Sequence, residues 1–178
     1  MADSRKLRLL VAEDSFEDER LLRELLEEAA EARVWPQWMV WQPVFAATAE
    51  EACDLAIDGA YDAILLNLSL PDSRVLHETF MAVCSAAPAV PILVMADERD
   101  DSLEAMLLRE GAQDFLVKAQ LDAEPLAHAL KRAVERQRFV NTLRAADLPA
   151  RMAVLPETDT CDDLPLHLVG IADVSMSD

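Results

Sequence analysis

The strongest constraint on this chain is an alternation of short apolar runs with segments whose apolar residues recur at helical spacing. Residues 7–12, 61–68 and 91–95 are such runs, and the middle one holds Ala63-Ile64-Leu65-Leu66 with no polar residue between. A run of that kind suits a strand buried on both faces, and strands separated by helices belong to a parallel sheet covered on both sides. Two further strands, at residues 38–45 and 114–118, complete the pattern. Pro43 lies inside the first of these and cannot donate a ladder hydrogen bond, which predicts a place at the sheet edge.

The intervening helices carry their own start and stop signals. Ser15 or Asp14 caps the first, in which Leu22, Leu25, Leu26 and Ala29 share one face. Asp18, three residues after Ser15, gives a weakened capping box. Thr48 caps a second helix that Asp58-Gly59 closes. The turn Leu70-Pro71-Asp72-Ser73 precedes a third helix reaching about residue 87, and a fourth, with Leu103, Met106 and Leu107 inward, runs to Gly111. The last helix begins near Asp122, takes Pro125 in its first turn where proline is tolerated, and continues to about residue 146. One domain over residues 1–147 is therefore expected. Residues 148–178 hold three prolines and six acidic residues against one arginine. That composition predicts an acidic, mostly disordered tail, with residues 166–174 able to form a strand on docking.

The net charge of −18 argues against nucleic acid, whose binding rests on cations displacing counterions, and against an anionic membrane surface. No apolar stretch reaches the ~18 residues of a membrane span. Glu13-Asp14 cuts off the run at 7–12, leaving it too short for a signal-peptide core. Cys53, Cys84 and Cys161 form no CxxC and leave one thiol unpaired, so reduced thiols and a cytoplasmic location are expected.

Three motifs in order carry a resemblance. They are Leu9-Leu10-Val11-Ala12-Glu13-Asp14-Ser15, the run Tyr61-Asp62-Ala63-Ile64-Leu65-Leu66-Asn67-Leu68-Ser69-Leu70-Pro71-Asp72-Ser73, and Gly111-Ala112-Gln113-Asp114-Phe115-Leu116-Val117-Lys118. Together they resemble the response-regulator receiver domain (CheY-like superfamily) over roughly residues 6–140. The resemblance implies a doubly wound α/β fold with five parallel strands in the order 2-1-3-4-5, here with an extended last helix. In that family two acidic residues after the first strand and an aspartate ending the third hold Mg²⁺, and the aspartate takes up a phosphoryl group. A Thr or Ser ending the fourth strand and a lysine after the fifth then bind the phosphate. By position Glu13 and Asp14 match the acidic pair, Lys118 the lysine, and Phe115 the aromatic that reports the switch state.

Other positions break the pattern. Asn67 stands where the phosphoacceptor aspartate belongs, and its amide offers no carboxylate nucleophile. Ala96 replaces the Thr or Ser, and Asp97 adds a negative charge where a small residue is usual. Ala119 replaces the proline that usually follows the lysine, so a cis bond there is not expected. The chain thus reads as a degenerate pseudo-receiver without a catalytic role. Glu13 and Asp14 would bind Mg²⁺ weakly or not at all, and neutralisation of the pair by Lys118 is the favoured alternative. No cofactor is expected.

The last helix is basic, with Lys131, Arg132, Arg136 and Arg138 as a candidate interaction surface. It would meet an acidic face such as Glu98, Asp100, Asp101 and Glu104 of a second copy, or the chain's own acidic tail, and the alternative is a solvated face. The resemblance adds a homodimer face built from the fourth helix, fifth strand and fifth helix. The expected function is a phosphorylation-independent signalling module of a two-component-type system, binding a regulatory partner such as a histidine kinase or output protein. The alternative is a phospho-competent regulator using Asp72 or Ser69 as acceptor. Trp35, Trp38 and Trp41 suggest core packing with one ring exposed, and the histidines His77, His128 and His167 have no ligand spacing.

Overall fold

A computed structural model describes residues 5–33 and 39–152, with side chains over 6–33 and 40–145. Five strands alternate with five helices: β1 (Arg5–Ala12), α1 (Phe16–Glu31), β2 (Met39–Ala46), α2 (Ala49–Asp58), β3 (Ala63–Asn67), α3 (Leu76–Ala86), β4 (Ile92–Ala96), α4 (Asp101–Arg109), β5 (Asp114–Val117) and α5 (Ala123–Met152). All pairings are parallel and the order is β2-β1-β3-β4-β5, as expected. Pro43 sits on β2 opposite Leu9, and β2 is an edge strand, where a missing donor costs least.

Side-chain alternation along the strands divides the interior into two layers. Leu7, Leu9 and Val11 of β1, with Leu65, Leu93 and Met95, face α1 and α5, meeting Leu22, Leu25, Leu26, Leu126, Leu130 and Val134. Leu10 and Ala12, with Ile64, Leu66 and Val94, face the other way onto Phe80, Val83, Leu107 and Phe115. Each fully buried leucine contributes ~1.5–3 kcal/mol relative to exposure. β3 and β4 are buried at every position, which fixes them as the central strands.

The caps follow the residues. Ser15 Oγ accepts from the Asp18 N–H at 3.2 Å. Thr48 Oγ1 accepts from the Glu51 N–H at 3.1 Å, and Glu51 returns a carboxylate to the Ala47 N–H at 2.8 Å. The remaining differences from expectation lie at element ends. α4 stops at Arg109 because Glu110 caps it and Gly111 turns with φ +114°, a left-handed conformation that glycine adopts without a Cβ penalty. Leu107 is its one fully buried residue, Leu103 and Met106 being half-buried. β5 ends at Val117, and Lys118 opens a 3-10 turn. No peptide among the described residues is cis, Lys118–Ala119 included. α5 runs past the expected end near residue 146, through Pro149, to Met152, so residues 148–152 are helical rather than tail. The rest of the expected tail, with Cys161 and His167, lies outside the described residues, as do Trp35 and Trp38. Trp41 is buried against the α1–α5 layer.

Candidate functional site

The chain leaves β1 for β2 on one side and returns to β3 on the other, so a crevice opens at the carboxyl ends of β1 and β3. Open α/β sheets place ligands at such switch points. Glu13 follows β1 directly, and its backbone N–H donates to the Ala46 carbonyl at 2.9 Å. Its side chain is fully buried. Asn67 ends β3 and is also buried.

The two side chains meet. Asn67 Nδ2 donates to Glu13 Oε1 at 3.1 Å, and the Ser15 N–H donates to the same oxygen at 3.1 Å. Asn67 Oδ1 is engaged as well, accepting from the Ser69 N–H at 3.0 Å. The other carboxylate oxygen, Glu13 Oε2, lies 2.7 Å from Lys118 Nζ. Lys118 also lies 2.8 Å from Asp18 Oδ2 and 3.7 Å from Asp97 Oδ1. Burial by itself pulls the Lys118 ammonium down, but the hydrogen bonds and charges of Asp18 and Glu13 outweigh it and hold it above its ordinary value. A charge buried as deeply as Glu13 is tolerated only when paired and hydrogen-bonded, and here both oxygens are supplied from within the chain.

Of the residues singled out from sequence, Glu13, Asn67 and Lys118 come together, and Ala96 and Asp97 border them at the end of β4. Asp14 does not join them; its side chain is exposed. Lys118 neutralises Glu13 and Asp18, not the Glu13–Asp14 pair. Asp18 was legible only as part of a capping box. Its N–H does serve the cap, but its carboxylate turns to Lys118 because Ser15 N–H is already donated to Glu13.

The oxygens of Glu13 and Asn67 are already engaged within the chain. Glu13 faces an ammonium and an amide, Asn67 Oδ1 faces a backbone N–H, and Asp14 is exposed. Among the described residues no three His, Cys, Asp or Glu side chains converge as a metal site. The hollow lined by Glu13, Asp18, Met95 and Lys118 measures about 10 Å³, at the limit of what one water needs.

The other acceptor candidates lie apart from this cluster. Asp72 caps α2 from across the loop, its Oδ1 accepting from the Ala49 N–H at 2.9 Å and its Oδ2 from the Glu50 N–H at 3.0 Å. Slight burial raises its carboxyl, but those backbone hydrogen bonds prevail and hold it below the usual range. Ser69 is exposed. Phe115 is buried among Ala96, Leu107 and Ala112. On α5, Arg132 pairs with Asp114 at 3.2 Å and Arg136 donates to Gln113 Oε1 at 3.0 Å, so the start of β5 and the residue before it engage half of the basic set. Lys131 and Arg138 are half-buried. His77 reaches Glu110 and so links α3 to the end of α4, while His128 lies 3.6 Å from Glu124 on an exposed surface.

The architecture has close counterparts. A response regulator receiver domain protein of Clostridium thermocellum superposes with a TM-score of 0.62 at 17% identity, covering 75% of this chain and 98% of that one. The fold is the receiver fold. A receiver domain of the sensor histidine kinase PA1611 from Pseudomonas aeruginosa, with magnesium coordinated in its active-site cleft, gives 0.56 at 20% identity over 74% and 99% of the two chains. A CheY-like receiver domain protein from Methanospirillum hungatei gives 0.59 at 16% identity over 75% and 98%. No protein-family model and no curated protein sequence matches the chain. Within the receiver fold, the cluster around Glu13 occupies the usual ligand end of the sheet. No described helix is long and apolar enough to cross a membrane.

Proposed function

We propose that the chain is a phosphorylation-independent receiver-type module of a two-component-type regulatory system. It performs no phosphotransfer, binds Mg²⁺ at most weakly, and acts through contacts with proteins such as a histidine kinase or an output protein. The observation that carries this reading is the self-satisfied cluster. Asn67 gives an amide donor where phosphoryl uptake requires a carboxylate nucleophile, and that donor is bonded to Glu13. Lys118 supplies the positive charge that a cation would otherwise provide. Ala96 has no hydroxyl to pull the following loop inward, and Phe115 is held in the core by packing. Ligands switch a protein only through differential affinity for two states, and here Asn67 and Ala96 lack the carboxylate and the hydroxyl through which a phosphoryl would be held in one of them.

The test is intact mass after incubation with Mg²⁺ and acetyl phosphate, alongside an Asn67→Asp/Ala96→Thr double variant. The expected result is no adduct on the native chain and one phosphoryl adduct on the variant. An adduct on the native chain, mapped to Asp72 or Ser69, would replace this reading with that of a working relay.

A further inference from the structure

α5 is 30 residues long, which corresponds to about 45 Å of helix. Its last core side chain is Val134, so the 18 residues from Glu135 to Met152 extend about 27 Å further. On this overhang Phe139 is 65% exposed and Leu143 54% exposed. With Arg132 and Arg136 they recur at i, i+4, i+7 and i+11 and so form a single stripe, basic at one end and apolar at the other. A solvated helix of this length is marginal on its own, and Phe139 and Leu143 leave adjoining apolar surface uncovered along it.

A surface of matching chemistry lies at the other end of the molecule. Between the starts of α3 and α4 is an open groove of about 720 Å³, with Leu76, Ala96 and Leu103 on its floor. Its rim carries Asp97, Glu98, Asp100 and Asp101 against Arg99 alone. Arg99 is occupied by Asp101 at 3.4 Å and Glu104 at 2.9 Å, and Asp100 caps α4 through the Ser102 and Leu103 N–H groups. Glu98 has no ion pair among the described residues, and the rim as a whole is negative.

The groove and the stripe cannot meet within one chain. The groove lies at the carboxyl ends of β3 and β4. α5 follows β5 and crosses back over β4 and β3, antiparallel to the strands, so its overhang leaves from their amino-terminal side. We infer that the α5 overhang of one copy docks in the acidic α3–α4 groove of a second copy, with Phe139 and Leu143 on the apolar floor and Arg136 against the rim. The contact joins two different patches, so it either closes as an antiparallel two-fold pair that makes it twice or propagates to a ring or an open chain. Because the groove includes Ala96, the docked helix covers the mouth of the site, an arrangement that rests on that site having no phosphoryl traffic.

The test is sedimentation velocity of the full chain, never exposed to a phosphodonor, up to several hundred micromolar, at about 50 mM and about 500 mM salt. A failure here therefore leaves the phosphodonor result standing. The native chain is expected to self-associate, less at high salt. Phe139→Asp spoils the stripe and keeps the groove, and Leu76→Ser/Glu98→Arg spoils the groove and keeps the stripe; all three positions are exposed. Each variant alone should associate about tenfold or more weakly, and an equimolar mixture should form a dimer that grows no further. Two results would overturn the inference. One is a native chain that stays monomeric throughout; faster amide exchange within residues 153–178 of its Phe139→Asp variant would then place the chain's own acidic end on the stripe. The other is a mixture that pairs no better than either variant alone, the signature of an interface that does not join stripe to groove.

Discussion

Asn67→Asp puts a carboxylate oxygen where an amide nitrogen now lies 3.1 Å from Glu13 Oε1. Two unit charges at that distance repel by about 5 kcal/mol at an effective dielectric constant near 20. The new group can avoid this by keeping a proton, which from an ordinary carboxyl pKa of about 3.9 costs ~4 kcal/mol at pH 7 and ~1.5 kcal/mol at pH 5. Protonated, it donates to Glu13 much as the amide does. The loss of stability is therefore capped at about 4 kcal/mol at pH 7 and about 1.5 kcal/mol at pH 5, with Lys118 offsetting part of it. The sign follows from a folded-state pKa raised above the unfolded one, which makes an acid increasingly destabilising as pH climbs past its unfolded value. Urea unfolding of both chains at the two pH values reads the difference directly. Mg²⁺ at about 10 mM should restore more stability to the variant than to the native chain, since only the variant presents a carboxylate pair. A variant as stable as the native chain at pH 7, or a loss that does not change with pH, would refute the electrostatic account of the cluster.

Lys118→Met leaves Glu13 buried without its counterion and should cost ~3 kcal/mol in urea unfolding. In the native chain the Lys118 pKa is raised above its ordinary 10.5, so its contribution is complete below that value and disappears as pH rises through the higher folded one. An alkaline unfolding limb above pH 10.5 should therefore be present in the native chain and absent from Lys118→Met. Asp72→Ala removes the acceptors of the Ala49 and Glu50 N–H groups at the start of α2, leaving the Thr48 cap in place, and should cost ~1 kcal/mol at pH 7. Because the Asp72 pKa is lowered, that difference should persist above the ordinary value of 3.8 and vanish as the pH falls through the lower folded value. Burial, with Glu110 nearby, pushes the Cys84 thiol up to about 11. Its alkylation by iodoacetamide at pH 8 should run roughly two orders of magnitude slower in the folded chain than in urea.

Much of this was legible from order and spacing. The continuous apolar runs at β3 and β4 signalled strands buried on both faces, and Pro43 put β2 at the edge. Glu13, Asn67 and Lys118 could be paired because parallel strands bring their carboxyl ends to one place. Asp18 and Asp72 were harder, because each serves a partner remote in sequence. Asp18 meets Lys118 across 100 residues, and Asp72 caps a helix that begins 23 residues earlier. Local capping rules see Ser15 and Thr48 but not these. The basic helix was recognisable, but its partition was not: Arg132 and Arg136 turn to β5, a choice fixed by where Gln113 and Asp114 stand on the sheet rim.

The bond from Lys118 to Glu13 also bears on assembly. Residue 13 must give up its water when β1 is enclosed between β2 and β3, yet its counterion is carried by the segment just after β5. Enclosing β1 without that segment would strand a buried, unpaired carboxylate, at a cost of several kcal/mol. One ammonium group thereby couples the end of the first strand to the segment that follows the fifth.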